Sequence, residues 1–511
     1  MTFAYTGIGF WIARRAALTP NRVALETPDA SYTYATLDER AARAATALAA
    51  AGVEPGDRVA AYLPNTVDYV DVFFACARLG AIMVPLSTRL AAPELEFLCT
   101  DSQSSTLVYD ASFTATVQAF RPGTAIKAAF VAGDGDAADQ TDIRWDAAMA
   151  AASPLHEVVD VRPDDALAIV YTSGTTGRQK GAVLTHGNFF WTNLNMVLAV
   201  DITQDERSLV VLPMFHIGGW NVNTLAVWLK GGTVYLEPAF DAGRALELIE
   251  RERITSMMGV PTIYHVLADH PRFAQADLTS VRSFVCGGAP LAVPLIRRYQ
   301  ERGLQFIQGY GLTEAAPNCL ILPPEDAVRK AGAAGRPYFF TDTRVFDEAD
   351  RDVPPGGTGE VVVRGPSVMR EYWNLPDETA NALRGGWLRT GDVGLVDDEG
   401  TITIVDRVKD MYISGGENVY PAEIERTLAA HPAVQEAAVI GVADPRWGES
   451  GCAIVVLRGG ASASEDEIRT FCAERVAKFK VPARVVFAET LPRNATGKLL
   501  KPELRARYAA P

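Results

Sequence analysis

A loop of hydroxyls, glycines and cations follows a short apolar stretch in this chain. The loop, Thr172 to Lys180, reads Thr-Ser-Gly-Thr-Thr-Gly-Arg-Gln-Lys, and the preceding Ala166–Tyr171 reads as a buried strand. Glycines let backbone N–H groups approach a ligand closely, hydroxyls donate hydrogen bonds, and cations offset negative charge. These residue types in this order indicate a phosphate-binding loop, and a plain glycine-rich surface loop is the alternative.

The spacing within this loop excludes a Walker A motif. That motif needs four residues between its glycines and then Lys followed by Ser or Thr. Here only Thr175 and Thr176 separate Gly174 from Gly177, and Gly181 follows Lys180. The loop alone therefore does not say which phosphate chemistry it serves.

Further segments rich in glycine, hydroxyls or charge follow along the chain. They are Gly287–Leu291, Gln308–Glu314, Arg389–Asp392, Asp406–Asp410 with Ser414–Asn418, and Pro492–Lys498.

The elements that must position these loops read as α/β in the first part of the chain. Thr36–Glu39 resembles a capping box that opens a helix, which Gly52 ends. Seven short apolar segments alternate with helical stretches, which predicts parallel sheets covered by helices. They are Arg58–Tyr62, Thr106–Tyr109, Ala166–Tyr171, Ser208–Leu212, Thr233–Leu236, Ser283–Cys286 and Leu304–Ile307. Several run directly into glycine, and ligands of open α/β sheets bind beyond the carboxyl ends of the strands.

The pattern changes at about Thr341, where antiparallel strands with Gly, Asp and Pro turns begin. A charged break near residues 407–409 precedes a smaller α+β unit. The predicted fold is a large N-terminal domain, residues 1–406, of two helix-covered, parallel-rich sheets plus a small β-barrel at about 341–406. A hinge at 407–409 leads to a mobile α+β domain, residues 410–511.

Composition limits the class of function. The 511 residues suffice for two to four domains, and a net charge of −14 argues against a sequence-independent nucleic-acid binder. The six cysteines have no Cys-x-x-Cys spacing and read as buried thiols of a reducing, cytoplasmic compartment.

We expect no signal peptide at Met1–Trp11. The uncharged residues 208–229 read as a strand, a turn and a helix that line a cavity, because prolines, glycines and asparagines oppose a membrane span. Peripheral membrane contact and a homodimer stay open.

Taken in order, the segments resemble those of adenylate-forming enzymes, the superfamily of acyl-CoA synthetases, adenylation domains and beetle luciferases. The resemblance covers essentially the whole chain and is strongest to bacterial fatty-acyl-CoA and aryl-CoA ligases, through Asn418–Glu425. It implies that a carboxylate attacks the α-phosphate of ATP to give an acyl-adenylate, from which coenzyme A displaces AMP. A carboxylate is already ionised at pH 7, so the first step needs charge neutralisation and alignment.

The resemblance also implies roles for individual residues. Glu314 and Thr172 would bind Mg²⁺, Tyr310 would stack on adenine, and Asp392 with Arg407 would hold the ribose. Lys498 would bridge the carboxylate and the α-phosphate. Singly, these residues also read as turn, core or surface residues. The other implied ATP contacts are Ser173, Gly174, Thr175, Thr176, Gly177, Lys180, Gly288, Ala289, Pro290, Gln308, Gly309, Gly311, Leu312 and Thr313.

For the second half-reaction the resemblance implies a rotation of the small domain about Lys409, although an ordinary surface lysine would look the same. Rotation would bring Ser414, Gly415, Gly416 and Glu417 to the site as a channel for coenzyme A. Trp447 and Phe479 would pack on its nucleotide, and Arg89 and Lys480 would meet its phosphates. Some aryl-CoA ligases have further basic residues where Val481 and Ala483 stand.

Two apolar segments, Phe215–Trp220 and Ser256–Pro261, would form the acid pocket. His216 would lie near the carboxylate or gate the channel, with a core histidine as the alternative, and Trp220 would shorten the tunnel. The walls carry no Arg or Lys for a dicarboxylate, and no Asp follows Phe215 to anchor an amino acid. The predicted pocket residues are Phe215, His216, Gly219, Trp220, Met257, Gly287 and Ala315.

The sequence therefore predicts an ATP- and Mg²⁺-dependent ligase that joins an apolar acid to coenzyme A. A fatty acid is the first choice and an aryl acid such as a cinnamate the second. A luciferase-like monooxygenase and a non-catalytic nucleotide-binding scaffold are the rivals. The presence of Lys180, Glu314 and Lys498 together opposes the scaffold.

Overall fold

The computed structural model describes residues 7–172, 179–407, 410–414, 417–444, 447–476, 478–493 and 499–508. At positions 407, 413, 417, 418 and 448 it describes the backbone alone. The chain divides into two compact units, Met1–Thr343 with Val363–Arg389, and Arg344–Val362 with Thr390–Pro511. The predicted hinge at 407–409 lies later than this division and stays a prediction.

Strands and helices alternate through most of the first unit. Its helices are α1 (Gly9–Leu18), α2 (Tyr34–Ala50), α3 (Val67–Leu79), α4 (Ala92–Asp101), α5 (Thr114–Phe120), α6 (Trp145–Ala151), α7 (His186–Ala199), α8 (Ile217–Trp220), α9 (Thr224–Lys230), α10 (Ala242–Glu252), α11 (Pro261–Asp269), α12 (Val293–Gln300) and α13 (Pro376–Ala382). Its strands are β1 (Val23–Glu26), β2 (Ser31–Thr33), β3 (Arg58–Tyr62), β4 (Ile82–Pro85), β5 (Thr106–Asp110), β6 (Ala128–Ala132), β7 (Ile143–Arg144), β8 (Ala166–Thr172), β9 (Lys180–Thr185), β10 (Arg207–Val210), β11 (Thr233–Leu236), β12 (Ser256–Gly259), β13 (Ser283–Gly287), β14 (Phe306–Tyr310), β15 (Leu320–Leu322), β16 (Arg336–Pro337) and, later in the chain, β19 (Glu371–Tyr372).

The remaining elements belong wholly or largely to the second unit. The strands are β17 (Asp342–Phe346), β18 (Thr358–Arg364), β20 (Leu388–Val396), β21 (Ile402–Arg407), β22 (Tyr412–Ser414), β23 (Glu417–Val419), β24 (Val434–Asp444), β25 (Gly448–Leu457) and β26 (Arg484–Phe487). The helices are α14 (Pro421–Ala429), α15 (Glu465–Ala473) and α16 (Lys501–Tyr508). Short 3₁₀ turns occur in both units, and Thr313–Ala315 is the one that matters for the site.

Two large sheets of the first unit confirm the predicted parallel-rich architecture. One has nine strands in the order β16-β15-β14-β13-β12-β10-β11-β1-β2, and the other has eight in the order β19-β9-β8-β4-β3-β5-β6-β7. Their central pairings, such as β12 with β13 and β3 with β5, are parallel. Helices α10, α11 and α12 bury a hydrophobic core against the nine-stranded sheet.

The second unit is built on smaller sheets. Strands β17-β18-β20-β21 form a small curled antiparallel sheet. A five-stranded sheet, β23-β22-β25-β24 with β26 on β25, packs with α14 and α15 around a core that includes Tyr412. No described helix is long and apolar enough to cross a membrane.

The start of α2 differs from the prediction. The helix begins at Tyr34, because Thr33 has an extended backbone and its side chain accepts a hydrogen bond from the Thr36 N–H at 3.2 Å. The predicted cap at Thr36 therefore lies inside the first turn. Both residues have capping chemistry, and the strand β2, which ends at Thr33, decides between them.

Candidate active site

The hydroxyl of Thr172 and the carboxylate of Glu314 meet at the ends of two strands. Thr172 is the last residue of β8, and its Oγ1 donates to Glu314 Oε1 at 3.2 Å. Glu314 lies in the turn Thr313–Ala315 just beyond β14, and its side chain is buried. The structure thus brings together two predicted metal-binding residues that are separated by 142 positions and lie at or just beyond the ends of strands in different sheets.

Tyr372 is a third member of this cluster. Its phenol donates to the same Glu314 Oε1 at 2.9 Å. Burial, and then the neighbouring Glu314 carboxylate, raises the pKa of the Tyr372 phenol, so the phenol remains a donor at neutral pH. The Met369 N–H also donates to the Glu314 backbone carbonyl at 2.7 Å, which holds the turn in place.

These residues fit Mg²⁺, which prefers oxygen ligands and usually binds through one or two carboxylates together with phosphate oxygens and water. The hydroxyls of Thr172 and Tyr372 both donate to Glu314 Oε1, so neither of them contacts Oε2. Glu314 and Thr172 would hold the ion, which would supply positive charge beside the phosphates. Tyr372 would fix the orientation of the carboxylate.

Lys180, the last residue of the predicted phosphate-binding loop, lies at the start of β9. Its side chain is 13% exposed and pairs with the Glu378 carboxylate. Its Nζ lies 5.2 Å from the centroid of the Tyr372 ring, within cation–π range. Among the described residues, these side-chain contacts form one unbroken series that runs from Thr172 through Glu314, Tyr372 and Lys180 to Glu378.

The predicted adenine-binding segments lie side by side. Strands β13 and β14 are parallel, with Gly287 opposite Gly309, and Gln308 Oε1 accepts from the Leu291 N–H at 3.2 Å. Gly288 has φ +81°, which favours glycine, and a Cβ on Gly311 would lie 1.3 Å from the Pro317 carbonyl oxygen. Gly288 is therefore favoured by its backbone conformation and Gly311 by the close approach of the Pro317 backbone, next to the half-buried Tyr310.

Along β10 and β12, successive side chains point to opposite faces of the nine-stranded sheet. Leu209 and Met257 point into the core with α10, α11 and α12, whereas Val210 and Met258 line a cavity on the opposite face. Met257, the predicted wall residue, therefore lies on the core face, whereas Met258 lies on the cavity face, since successive strand residues face opposite sides. If the acid binds on the cavity face, Met258 would be the wall residue.

This cavity has a volume of about 10 Å³, about the space of one water molecule, so it would have to widen to receive an acid. Of the predicted pocket residues, Gly219 lines it. Trp220 is fully buried and packs edge-on against Phe73 with ring centroids 4.7 Å apart. The half-buried His216 lies against Phe215, with ring centroids 4.7 Å apart. The lining residues are Ser208, Val210, Val211, Leu212, Gly218, Gly219, Asn223, Thr224 and Met258.

Two polar residues that line the cavity, Ser208 and Asn223, are hydrogen-bonded to each other, and Asn223 also bonds to Ser256 behind them. Asn223 Nδ2 donates to Ser208 Oγ at 2.7 Å and to Ser256 Oγ at 3.1 Å. All three side chains are buried, and the two serines are register partners on β10 and β12. The apolar pair Val210 and Met258 lies two residues further along, about 6.6 Å nearer the carboxyl ends.

In the second unit, the two residues assigned to ribose are neighbours. Asp392 on β20 is the register partner of Arg407 on β21. Asp392 is buried, and its N–H donates to Thr390 Oγ1 at 3.1 Å.

The candidate coenzyme A residues are mostly accessible. Trp447 and Phe479 of the second unit are exposed, as is Arg89 of the first. Lys480 pairs with Glu423 at 2.7 Å, and Ser414 is buried. Several predicted residues or their side chains lie outside the described part of the chain: Ser173, Gly174, Thr175, Thr176, Gly177, Arg407, Lys409, Gly415, Gly416, Glu417 and Lys498.

Sequence reasoning missed Tyr372 and Glu378, which contact Glu314 and Lys180 from a segment far along the chain. Asn223 and Met258 fall within segments that were predicted to line a cavity or the acid pocket, but neither was selected as a site residue. Period-two alternation in Ser256–Gly259 is a signal that would have selected Met258. No local sequence pattern identifies Tyr372, Glu378 or Asn223 as a site residue.

Comparison with known proteins agrees with this geometry. The model of the AMP-binding enzyme family matches residues 12–373, and that of the AMP-binding enzyme C-terminal domain matches residues 423–498. Feruloyl-CoA synthase from Amycolatopsis sp is 46% identical over 98% of this chain and 99% of its own length. The long-chain-fatty-acid–CoA ligase FadD13 of Mycobacterium tuberculosis is 42% identical over 98% and 99%.

Solved structures agree as well. O-succinylbenzoate coenzyme A synthetase from Bacillus subtilis, in complex with ATP and magnesium ion, has a TM-score of 0.88 and 35% identity, and the match covers 97% of this chain and 99% of that one. The family match spans most of the chain, and the relatives match it nearly end to end. This chain belongs to the AMP-binding enzyme family and is an adenylate-forming ligase.

Proposed function

We propose that this enzyme is an ATP- and Mg²⁺-dependent ligase that converts a carboxylic acid into its coenzyme A thioester through an acyl-adenylate. The contact between Thr172 and Glu314 beside Lys180 carries the proposal. It places a hydroxyl, a carboxylate and a cation at the end of a strand that leads into a glycine-rich loop. A carboxylate close to phosphates would repel them unless a cation lay between the two groups.

The first half-reaction needs no general base. The acid is ionised at neutral pH and attacks the α-phosphorus of ATP, so that a carboxylate oxygen bonds to phosphorus and pyrophosphate leaves. Lys180 and the loop would neutralise phosphate charge, and Lys498 would bridge the two reacting groups. The thiol of coenzyme A then attacks the acyl carbon, and AMP leaves with the oxygen that the acid supplied.

The substrate that we favour is an aryl acid with a polar ring substituent. Ser208 and Ser256 accept hydrogen bonds from Asn223, and among the described residues neither hydroxyl donates to a protein acceptor. Ser208, which lines the cavity, therefore keeps a hydrogen for an acceptor in it. Feruloyl-CoA synthase, a relative named for an aryl acid, is in line with this choice.

A fatty acid is the second candidate. Val210, Leu212 and Met258 give the upper cavity apolar walls, and a relative at 42% identity is named for long-chain fatty acids. A methyl group beside Ser208 would leave the hydroxyl hydrogen of that residue without an acceptor, which costs free energy in a buried site.

The experiment is to compare kcat/KM for a hydroxylated cinnamate with that for an alkanoate of similar length, in the native enzyme and in Ser208→Ala. We expect the native enzyme to prefer the cinnamate. Ser208→Ala should lower that preference about fivefold, the effect of one net hydrogen bond. Ser283→Ala is the matched control, since Ser283 is the register partner of Ser256 on β13 but does not line the cavity. A native preference for the alkanoate would favour the second candidate.

A further inference from the structure

Glu378 is the acidic partner of Lys180, the cation that ends the predicted phosphate-binding loop. The two side chains form an ion pair in which Lys180 is 13% exposed and Glu378 is 41% exposed. The lysine also lies over the Tyr372 ring. Lys180 is thus held by a carboxylate and an aromatic ring.

The backbone, rather than the ion pair, holds Glu378 in this place. Strand β19 pairs with β9, with Tyr372 opposite Ala182, and the Trp373 N–H donates to the Gly181 carbonyl at 2.8 Å. Thr379 Oγ1 then accepts from the Tyr372 N–H at 2.9 Å, which fixes the start of α13. Glu378 stands in the first turn of this helix, where a negative charge is favourable.

We propose that Glu378 is a counter-ion that occupies Lys180 before ATP binds and competes with the triphosphate for it. The proposal rests on the proposed function, in which Lys180 meets phosphate. A triphosphate carries more negative charge than one carboxylate, so it can displace Glu378 from Lys180. A partly exposed ion pair is weak, so the exchange costs little. Glu378 thereby lowers the affinity for ATP and keeps the empty site close to neutral.

The test compares ATP binding to native enzyme and to Glu378→Gln by titration calorimetry with Mg²⁺ and without the acid. This substitution keeps the shape of the side chain but removes its negative charge. We expect the Kd for ATP to fall about fivefold, which corresponds to the upper range for an exposed pair. The difference should shrink as ionic strength rises, because salt screens exposed charges.

Asp377→Asn is the matched control, because Asp377 precedes Glu378 on the same helix and is exposed. It should change the Kd by less than twofold. The double variant Lys180→Ala/Glu378→Gln completes the design. The effect of Glu378→Gln should vanish when Lys180 is absent, since the two effects are coupled only through the pair.

The outcomes separate the two levels of the proposal. If Glu378→Gln leaves the Kd unchanged or raises it while Lys180→Ala weakens ATP binding, Glu378 is not a competitor and the inference is overturned, whereas the proposed function stands. If Lys180→Ala leaves ATP binding unchanged, the phosphate role of Lys180 fails, and the inference fails with it.

Discussion

Asp392 and Arg407 occupy directly opposed positions on the antiparallel strands β20 and β21. They are separated by a turn that contains Asp397 and Gly400, and the hairpin brings both to one end of the small curled sheet. Aspartate and arginine are residue types that supply an acceptor and donors, which is the chemistry that a vicinal diol needs. This pairing supports the assignment of both residues to the ribose of ATP.

The first prediction follows from that assignment. Asp392→Asn should raise the KM for ATP roughly tenfold to a hundredfold, because a hydrogen bond to a charged group is worth about 1.5–3 kcal/mol. Steady-state AMP release at varied ATP measures it. Asp398→Asn, an exposed position in the turn after β20, is the control and should behave as the native enzyme. An unchanged KM in Asp392→Asn would remove the ribose assignment.

A second prediction concerns Lys498, which lies outside the described residues. Lys498→Ala should slow adenylation by about 10² or more, since loss of one charge-stabilising group costs about that much. Thioester formation from supplied acyl-adenylate should continue. Pyrophosphate exchange measures the first half-reaction, and thioester release measures the second. A native rate of exchange in this variant would contradict the role of Lys498.

The cavity lined by Gly218, which we propose receives the acid, gives a third prediction. An added Cβ at Gly218 would meet no atom within 4 Å, although the residue lines the cavity. Gly218→Val should therefore fold normally, narrow the cavity and lower kcat/KM for the acid roughly tenfold or more. The KM for ATP should not change. Gly459→Val, also with open space around its Cβ, is the control. Unaltered acid selectivity in Gly218→Val would place the acid elsewhere.

The fourth prediction is a pH dependence of stability from Asp68. Burial raises the pKa of Asp68 to about 6 and that of Asp71 to about 7, against an opposing effect of the Arg40 charge. Arg40 Nη2 lies 2.6 Å from Asp71 Oδ2 and 3.5 Å from Asp68 Oδ1. The other ionisable groups that face Asp68 and Asp71 are Tyr32, Asp110 and Asp146.

Because the folded pKa of Asp68 exceeds its unfolded value of about 4, this group stabilises the fold below about pH 4, and the contribution is lost as the pH rises through about 6. Asp68→Asn stays neutral throughout. The Tm of Asp68→Asn minus that of the native protein should therefore increase between pH 5 and pH 7.5. A difference that is constant or decreases over this range would contradict the raised pKa.

Much of the fold follows from local patterns in the sequence. The predicted strands that correspond to β3, β11 and β13 begin at the same residues as the observed strands, because buried parallel strands are continuous apolar runs. The start of α2 was harder to predict, since Thr33 and Thr36 both have capping chemistry. Leu304 and Gln305 read as strand but precede β14, which begins at Phe306.

The site was predictable where its residues stand in ordered motifs, as Thr172 and Glu314 do. It was not predictable where a contact depends on tertiary packing. Glu378 reaches Lys180 across 198 positions, through the pairing of β19 with β9, and nothing in the local sequence indicates that register. Met257 and Met258 have the same chemistry, so only the phase of the strand distinguishes the core residue from the residue on the cavity face.

The central claim is that the acid oxygen attacks the α-phosphorus of ATP. The most direct measurement supplies an acid substrate labelled with ¹⁸O in both carboxylate oxygens, together with ATP, Mg²⁺ and coenzyme A, and analyses the nucleotide product by mass spectrometry. The account predicts AMP that carries one ¹⁸O atom, with pyrophosphate and the thioester as the other products. Unlabelled AMP, or ADP with labelled inorganic phosphate, would contradict it.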